Sequence, residues 1–161
     1  MAAKSASAKV TPESQLRALI AKFDTSNQQL IRSVRAALRK RLPTVNELAY
    51  DYGSSLVISY SPTEHGMEGI VSTAARADGV SLYFNQAKKL PDPKKLLMGK
   101  AGQVRFIRVE SASQLKHPDV EALIAAAVKH STAPVATKGK GSLIIRPTAA
   151  SKRAGRKPAK G

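Results

Sequence analysis

The 161-residue chain has no cysteine and no tryptophan, only seven aromatic residues, and 11 acidic residues against 27 basic ones. Without cysteine there is no disulfide framework, thiolate zinc site, iron–sulfur cluster or cysteine nucleophile. No apolar run approaches the ~18 residues that span a bilayer. The N-terminal Met-Ala-Ala-Lys-Ser-Ala-Ser-Ala-Lys lacks the apolar stretch of a signal peptide, so the expectation is a soluble, cytoplasmic protein without a membrane partner. The shortage of acid leaves a formal net charge of +16. A chain of this length is expected to form one domain with its own core.

The charge is unevenly placed. Residues 1–130 hold 19 basic and all 11 acidic residues. Residues 131–161 add Lys138, Lys140, Arg146, Lys152, Arg153, Arg156, Lys157 and Lys160 with no acid. Mobile clustered cations condense onto phosphate backbones by releasing counterions, so these eight residues are the candidate polyanion-binding set. No aromatic lies among them to stack a base, and no helix-turn-helix or RNP motif is visible, so nonspecific association with nucleic acid or another polyanion is expected. A merely solubilising tail is the plainer alternative. The segment is poor in apolar residues except for Leu143-Ile144-Ile145, a β-prone triplet stopped by Pro147 and suited to an edge strand over 142–146. The division expected is a disordered N-terminus (1–10), a folded domain (11–130) and a basic tail (131–161) with a disordered end.

Within the domain, Thr11-Pro12-Glu13 reads as a helix start, followed by Leu16, Leu19, Ile20 and Phe23 at helical spacing. A second helix restarts after Asp24, with Thr25 and Gln28, or Ser26 and Gln29, spaced as a capping box. Its apolar stripe is Leu30, Ile31, Val34, Ala37 and Leu38, with Arg32, Arg35, Arg39, Lys40 and Arg41 largely outside it. Thr44 to Glu47 has capping-box spacing and Gly53 a terminating position, which predicts a third, short helix between them.

From Ser55 the period falls to two, which predicts a strand that runs until Pro62 and two more over 70–75 and 80–84, the last pair joined around Asp78-Gly79. Lys94 to Met98 is expected to add a helical turn. Gln103 to Val109 reads as a fourth strand, apolar on both faces and therefore central or bulged. His117 is expected to cap a closing helix whose stripe is Val120, Leu123, Ile124, Ala127 and Val128. The fold class is α+β: a small antiparallel sheet of four or five strands with helices packed on one face.

The runs Asn46 to Tyr52, Tyr60-Ser-Pro-Thr-Glu64, Val80 to Phe84, Leu90-Pro-Asp-Pro93 to Gly99 and Val104 to Ser111, with the closing helix and Gly141 to Arg146, resemble the bacterial YdhG-like domain-of-unknown-function family over roughly residues 12–147. The resemblance implies a small α+β domain with an antiparallel sheet and little chemistry. One branch of that family is described as frataxin-like iron chaperones, which implies a metal-handling alternative.

Chemical candidates are few. Asp51 lies between Tyr50 and Tyr52, and with Tyr60 and Glu64 it forms the candidate ligand pocket for a small molecule or iron; a buried or half-buried hydrogen-bonded carboxylate at a helix end is the plainer reading of Asp51. Glu64, His65 and Glu68 are the only local cluster with metal-ligand chemistry, and a solvated turn is its simpler account. Ser54, Ser55 and Ser59 lack the context of a nucleophile elbow. Gly99-Lys100-Ala101-Gly102 lacks P-loop spacing. The expectation is therefore a nonenzymatic protein with no cofactor, no catalytic residue and no resident metal.

Overall fold

A computed structural model describes residues 10–99 and 104–150. Three helices, α1 (Pro12–Ile20), α2 (Thr25–Arg41) and α3 (Pro118–Lys129), pack against strands β1 (Asn46–Asp51), β2 (Leu56–Ser61), β3 (Val71–Arg76), β4 (Gly79–Phe84), β5 (Arg105–Val109) and β6 (Leu143–Arg146). The six strands form one sheet in the order β5-β4-β3-β2-β1-β6. The fold is α+β, with more strands than the four or five expected. The sheet is mixed: β1 to β5 pair antiparallel, while β6 runs parallel to β1 with Leu143 opposite Glu47 and Arg146 opposite Tyr50.

Local chemistry explains the helix starts. Thr11 Oγ1 accepts from Ser14 N at 3.1 Å and Ser14 Oγ accepts from Thr11 N at 3.0 Å, a reciprocal box that satisfies two otherwise orphaned donors. The cap of α2 is Asp24 rather than Thr25 or Ser26: its carboxylate accepts from Asn27 N at 2.8 Å, where the helix dipole also favours a negative charge. His117 Nδ1 accepts from Asp119 N at 3.2 Å and caps α3.

The segment expected to be a third helix is β1. Strand alternation puts Glu47, Ala49 and Asp51 on the face toward the helices and Leu48 and Tyr50 on the other. An acid at a buried inward position hides the period-two signal, and Glu47 is tolerated there because α2 supplies its counter-ion. The expected helical turn at 94–98 is instead a cap-like loop in which Asp92 accepts from Leu96 N and Leu97 N at 2.8 and 2.9 Å. The β3–β4 register pairs Arg76 with Gly79, so the two-residue turn is Ala77-Asp78, one place earlier than expected. β5 is an edge strand rather than the central or bulged strand expected, and among the described residues its outer side is met by an isolated bridge from Met98 to Phe106.

The core lies between the sheet and the helices. Leu16, Ile20, Ile31, Val34, Leu38, Leu123 and Ile124 from the helices meet Ala49, Ile58, Tyr60, Val71, Leu82, Phe84 and Ile107 from the strands. Leu143 and Ile145 join this core from β6, which explains why an apolar triplet interrupts an otherwise polar segment. Backbone bonds from Gly141 N to Pro43 O at 3.0 Å and from Glu47 N to Ser142 O at 2.8 Å fasten the segment beside β1. A methyl group on Gly141 would collide with the Val45 carbonyl oxygen, so this approach requires glycine. The disorder expected at the N-terminus and at the end of the tail falls almost entirely on residues 1–9 and 151–161, outside the described residues.

Candidate functional site

Where β6 enters the sheet, α2, β1 and the C-terminal segment enclose a cleft of about 250 Å³ lined by Arg39, Lys40, Leu42, Pro43, Val45, Glu47, Tyr60, Lys140, Gly141 and Ser142. Its cations come from two parts of the chain a hundred residues apart in sequence. Arg39 and Lys40 occupy the last turn of α2, where the helix dipole favours positive charge. Lys140 is brought in by the Gly141 and Ser142 backbone bonds.

The cleft has a buried ionic floor. Arg35 Nε donates to Glu47 Oε2 at 2.9 Å and Arg35 Nη2 to Glu47 Oε1 at 2.8 Å, a two-pronged pair. The Tyr60 hydroxyl donates to Glu47 Oε2 at 3.0 Å. Glu13 reaches the same guanidinium at 2.8 and 3.0 Å, and Arg39 Nε lies 3.6 Å from Glu47 Oε1. Tyr60 is fully buried; burial, and then the Glu47 carboxylate, push its pKa well above the ordinary tyrosine value. Burial works against the charge on Arg35, but its bonds to Glu47 and Glu13 outweigh it and its pKa is raised. The Arg35 hydrogen bond lowers the pKa of Glu13. Glu47 is thus neutralised from within, and Lys40 and Lys140 have no acidic partner among the described residues.

The same consumption of acid holds elsewhere. Glu121 pairs with Arg41 at 2.9 Å and Asp119 with Lys94 at 3.4 Å. Asp24 and Asp92 serve as caps, and Asp51 accepts from Gly53 N at 2.9 Å in a turn. The surface is left with an excess of cations.

The three residues of the expected ligand pocket are not gathered around one cavity. Asp51 and Tyr60 share the helix-facing side of the sheet, but Asp51 is paired with Leu56 and Tyr60 with Glu47, a separation of about 13 Å along the ladder. Asp51 borders a cavity at the far end of the sheet with Phe23, Asn27 and Ser55. Glu64 lies in the β2–β3 loop with its side chain exposed, and its carbonyl accepts from Arg146 Nη2. Nearby, Glu68 Oε1 accepts from Thr63 Oγ1 at 2.6 Å. No group of three metal-ligating side chains occurs among the described residues.

Of the eight tail cations, Lys138 and Lys140 are exposed on the segment leading into β6, and Arg146 is half-buried at the end of β6. Lys152, Arg153, Arg156, Lys157 and Lys160 lie outside the described residues, as do Lys100, Ala101 and Gly102 of the glycine-containing turn. The Arg35–Glu47–Tyr60 cluster is not apparent from helical spacing, although Arg35 does follow Val34 and stand one turn beyond Ile31, at the border of the apolar stripe. No helix among the described residues is long and apolar enough to cross a membrane. Comparison with protein-family models, curated proteins and solved structures finds no match to this chain.

Proposed function

We propose that the protein is a nonenzymatic polyanion-binding domain, with nucleic acid as its polyanion, and that it engages phosphates through the C-terminal cations together with the basic end of α2. The observation that carries this reading is the convergence of Arg39, Lys40 and Lys140 on one cleft, above a carboxylate already neutralised by Arg35. Separate cations on a solvated surface bind phosphate weakly, whereas cations held together release several counterions in one event. The +16 charge of the chain adds attraction at longer range that draws a polyanion toward the cleft. Membership of the YdhG-like family and a cytoplasmic location belong to the same proposal, resting on the motifs quoted above and on composition.

The test is binding of labelled duplex DNA across a salt series, comparing the full chain with its Lys40→Gln/Lys140→Gln variant. Loss of two phosphate contacts flattens the log–log salt slope by about two units, at roughly 0.9 per contact. An unchanged slope with unchanged affinity would remove the cleft from the binding surface.

A further inference from the structure

The sheet face turned away from the helices differs from the core face in kind. Its outward strand positions are Asn46, Leu48 and Tyr50 on β1, Val57, Ser59 and Ser61 on β2, Ser72, Ala74 and Arg76 on β3, Ser81 and Tyr83 on β4, Phe106 and Arg108 on β5, and Ile144 and Arg146 on β6. Three of these residues are arginines and none is an acid. Two aromatic pairs stand on this face. Tyr50 and Tyr52 stack with centroids 6.2 Å apart and planes within 15°. Tyr83 and Phe106 meet at 5.0 Å.

The Tyr50–Tyr52 pair stands beside a hollow in this face. Tyr50, Tyr52, Val57, Ser59, Ser72, Asn85, Met67 and Val104 border an open trough of about 510 Å³. β1 and β4 are three strand spacings apart, which separates the two aromatic pairs by about 14 Å. The rim is exposed: Tyr52 is 46% accessible, Val104 51% and Met67 93%. The arginines flank the trough. One register row runs Arg108, Ser81, Ala74, Val57, Tyr50, Arg146 across all six strands, with a guanidinium at each end. Arg108 donates to Ser81 Oγ at 3.2 Å and to the Asp78 carbonyl at 2.7 Å. Its one acidic neighbour, the exposed Asp78 carboxylate, is 3.9 Å away, a distance at which water screens most of the attraction.

We propose that this face is a platform for single-stranded nucleic acid. Unpaired bases stack on Tyr52 and on the Tyr83–Phe106 pair, the side chains of Ser72 and Asn85 border the trough, and Arg76, Arg108 and Arg146 hold the backbone. Aromatic rings on strands whose outward positions carry arginines and no acid suit a ligand that is flat, π-rich and negatively charged. A purely apolar peptide would leave the arginines without counter-ions. The proposal rests on the polyanion reading above and adds to it the recognition of bases.

The experiment measures full-length protein binding to short single-stranded DNA and RNA, to duplex DNA, and to inorganic polyphosphate of matched charge, which has phosphates but no bases. Because the chain lacks tryptophan, its ultraviolet emission is tyrosine emission, and stacking quenches it. Single strands are expected to bind about tenfold or more tightly than polyphosphate, by the strength of base–aromatic stacking, and to quench the emission. Tyr52→Ser/Tyr83→Ser should lose that advantage and leave polyphosphate affinity unchanged, with an unaltered melting temperature as the folding control. If that variant does not fold, the comparison of ligands on the unsubstituted protein decides. Equal affinity for single strands, duplex and polyphosphate, without quenching, overturns the platform and leaves polyanion binding standing. Absence of binding to all of them overturns both.

Discussion

Replacing Arg35 by methionine tests the claim that the buried ionic floor holds α2 to β1. The side chain of Glu47 is 5% exposed, and two of its three closest bonds come from Arg35, at 2.8 and 2.9 Å. Methionine keeps much of the aliphatic bulk but leaves a buried carboxylate without its counter-ion, a change that costs about 3–5 kcal/mol. Arg39 at 3.6 Å and the Tyr60 hydroxyl at 3.0 Å still face the carboxylate, which places the loss near the lower bound, about 3 kcal/mol. For a domain of this size that lowers the melting temperature by about 10 °C. Urea unfolding followed by circular dichroism measures the loss directly. Adding Glu47→Gln to Arg35→Met removes the stranded charge while keeping an acceptor for Tyr60, so the double variant should recover at least about half of the stability, a coupling well above that of independent sites. A loss below about 1 kcal/mol from Arg35→Met, or a double variant less stable than the single, would refute the argument that the cluster acts as a buried, charge-balanced unit.

Other consequences follow from the same geometry. Gly141→Ala drives a methyl group into the Val45 carbonyl, so β6 should detach from β1; hydrogen exchange at Leu143 to Arg146 should accelerate markedly while β2, β3 and β4 stay protected. Glu13 has a lowered pKa through Arg35, so its stabilisation is complete above the ordinary glutamate value near 4.5 and is lost as pH falls below it. Glu13→Gln should therefore flatten the acid limb of a melting-temperature profile, and an unchanged limb would contradict the pairing. Tyr60 has a raised pKa, so its contribution is complete below the ordinary tyrosine value of 10.0 and is lost above it. Tyr60→Phe should remove that alkaline component at the cost of one hydrogen bond to a charged acceptor, about 1.5–3 kcal/mol at neutral pH.

α1, α2 and α3 were legible because their signals are local: Thr11-Pro12 opens α1, the chain restarts after Asp24 even though the α2 cap is Asp24 itself and not Thr25 or Ser26, and the apolar stripes of α2 and α3 match the buried residues closely. Strands β2, β3 and β4 were legible because alternation is visible where one face is apolar and the other is small or polar. β1 was not, because its inward positions include Glu47, whose partner is on another element, and no local pattern announces a tertiary ion pair. β5 looked central or bulged because both its faces are apolar, yet it lies at the sheet edge, and its outward apolar position is taken up by the contact of Phe106 with Tyr83 on the neighbouring strand. The tail cations were visible as composition; the meeting of Lys140 with Arg39 and Lys40 depends on the parallel pairing of β6 with β1, a long-range event. Asp51, Tyr60 and Glu64 looked related by shared chemistry, but sheet register sets Asp51 and Tyr60 apart and a loop carries Glu64 elsewhere.

The parallel docking of β6 also sets where the chain can be cut to test polyanion binding. Ending the chain at residue 130 would remove a strand of the sheet as well as the cations, whereas ending it at Ala150 preserves β6 and removes only Lys152, Arg153, Arg156, Lys157 and Lys160 from the basic set. Binding of labelled duplex DNA across a salt series, full chain against the chain ending at Ala150, is the most direct measurement. The full chain should bind tightly and with steep salt dependence, truncation should flatten the slope by up to about 4 to 5 units at roughly 0.9 per contact, and residual binding should persist through Lys40, Lys138, Lys140 and Arg146. No binding by the full chain at near-physiological salt, or a slope indifferent to removal of these cations, would contradict the polyanion reading.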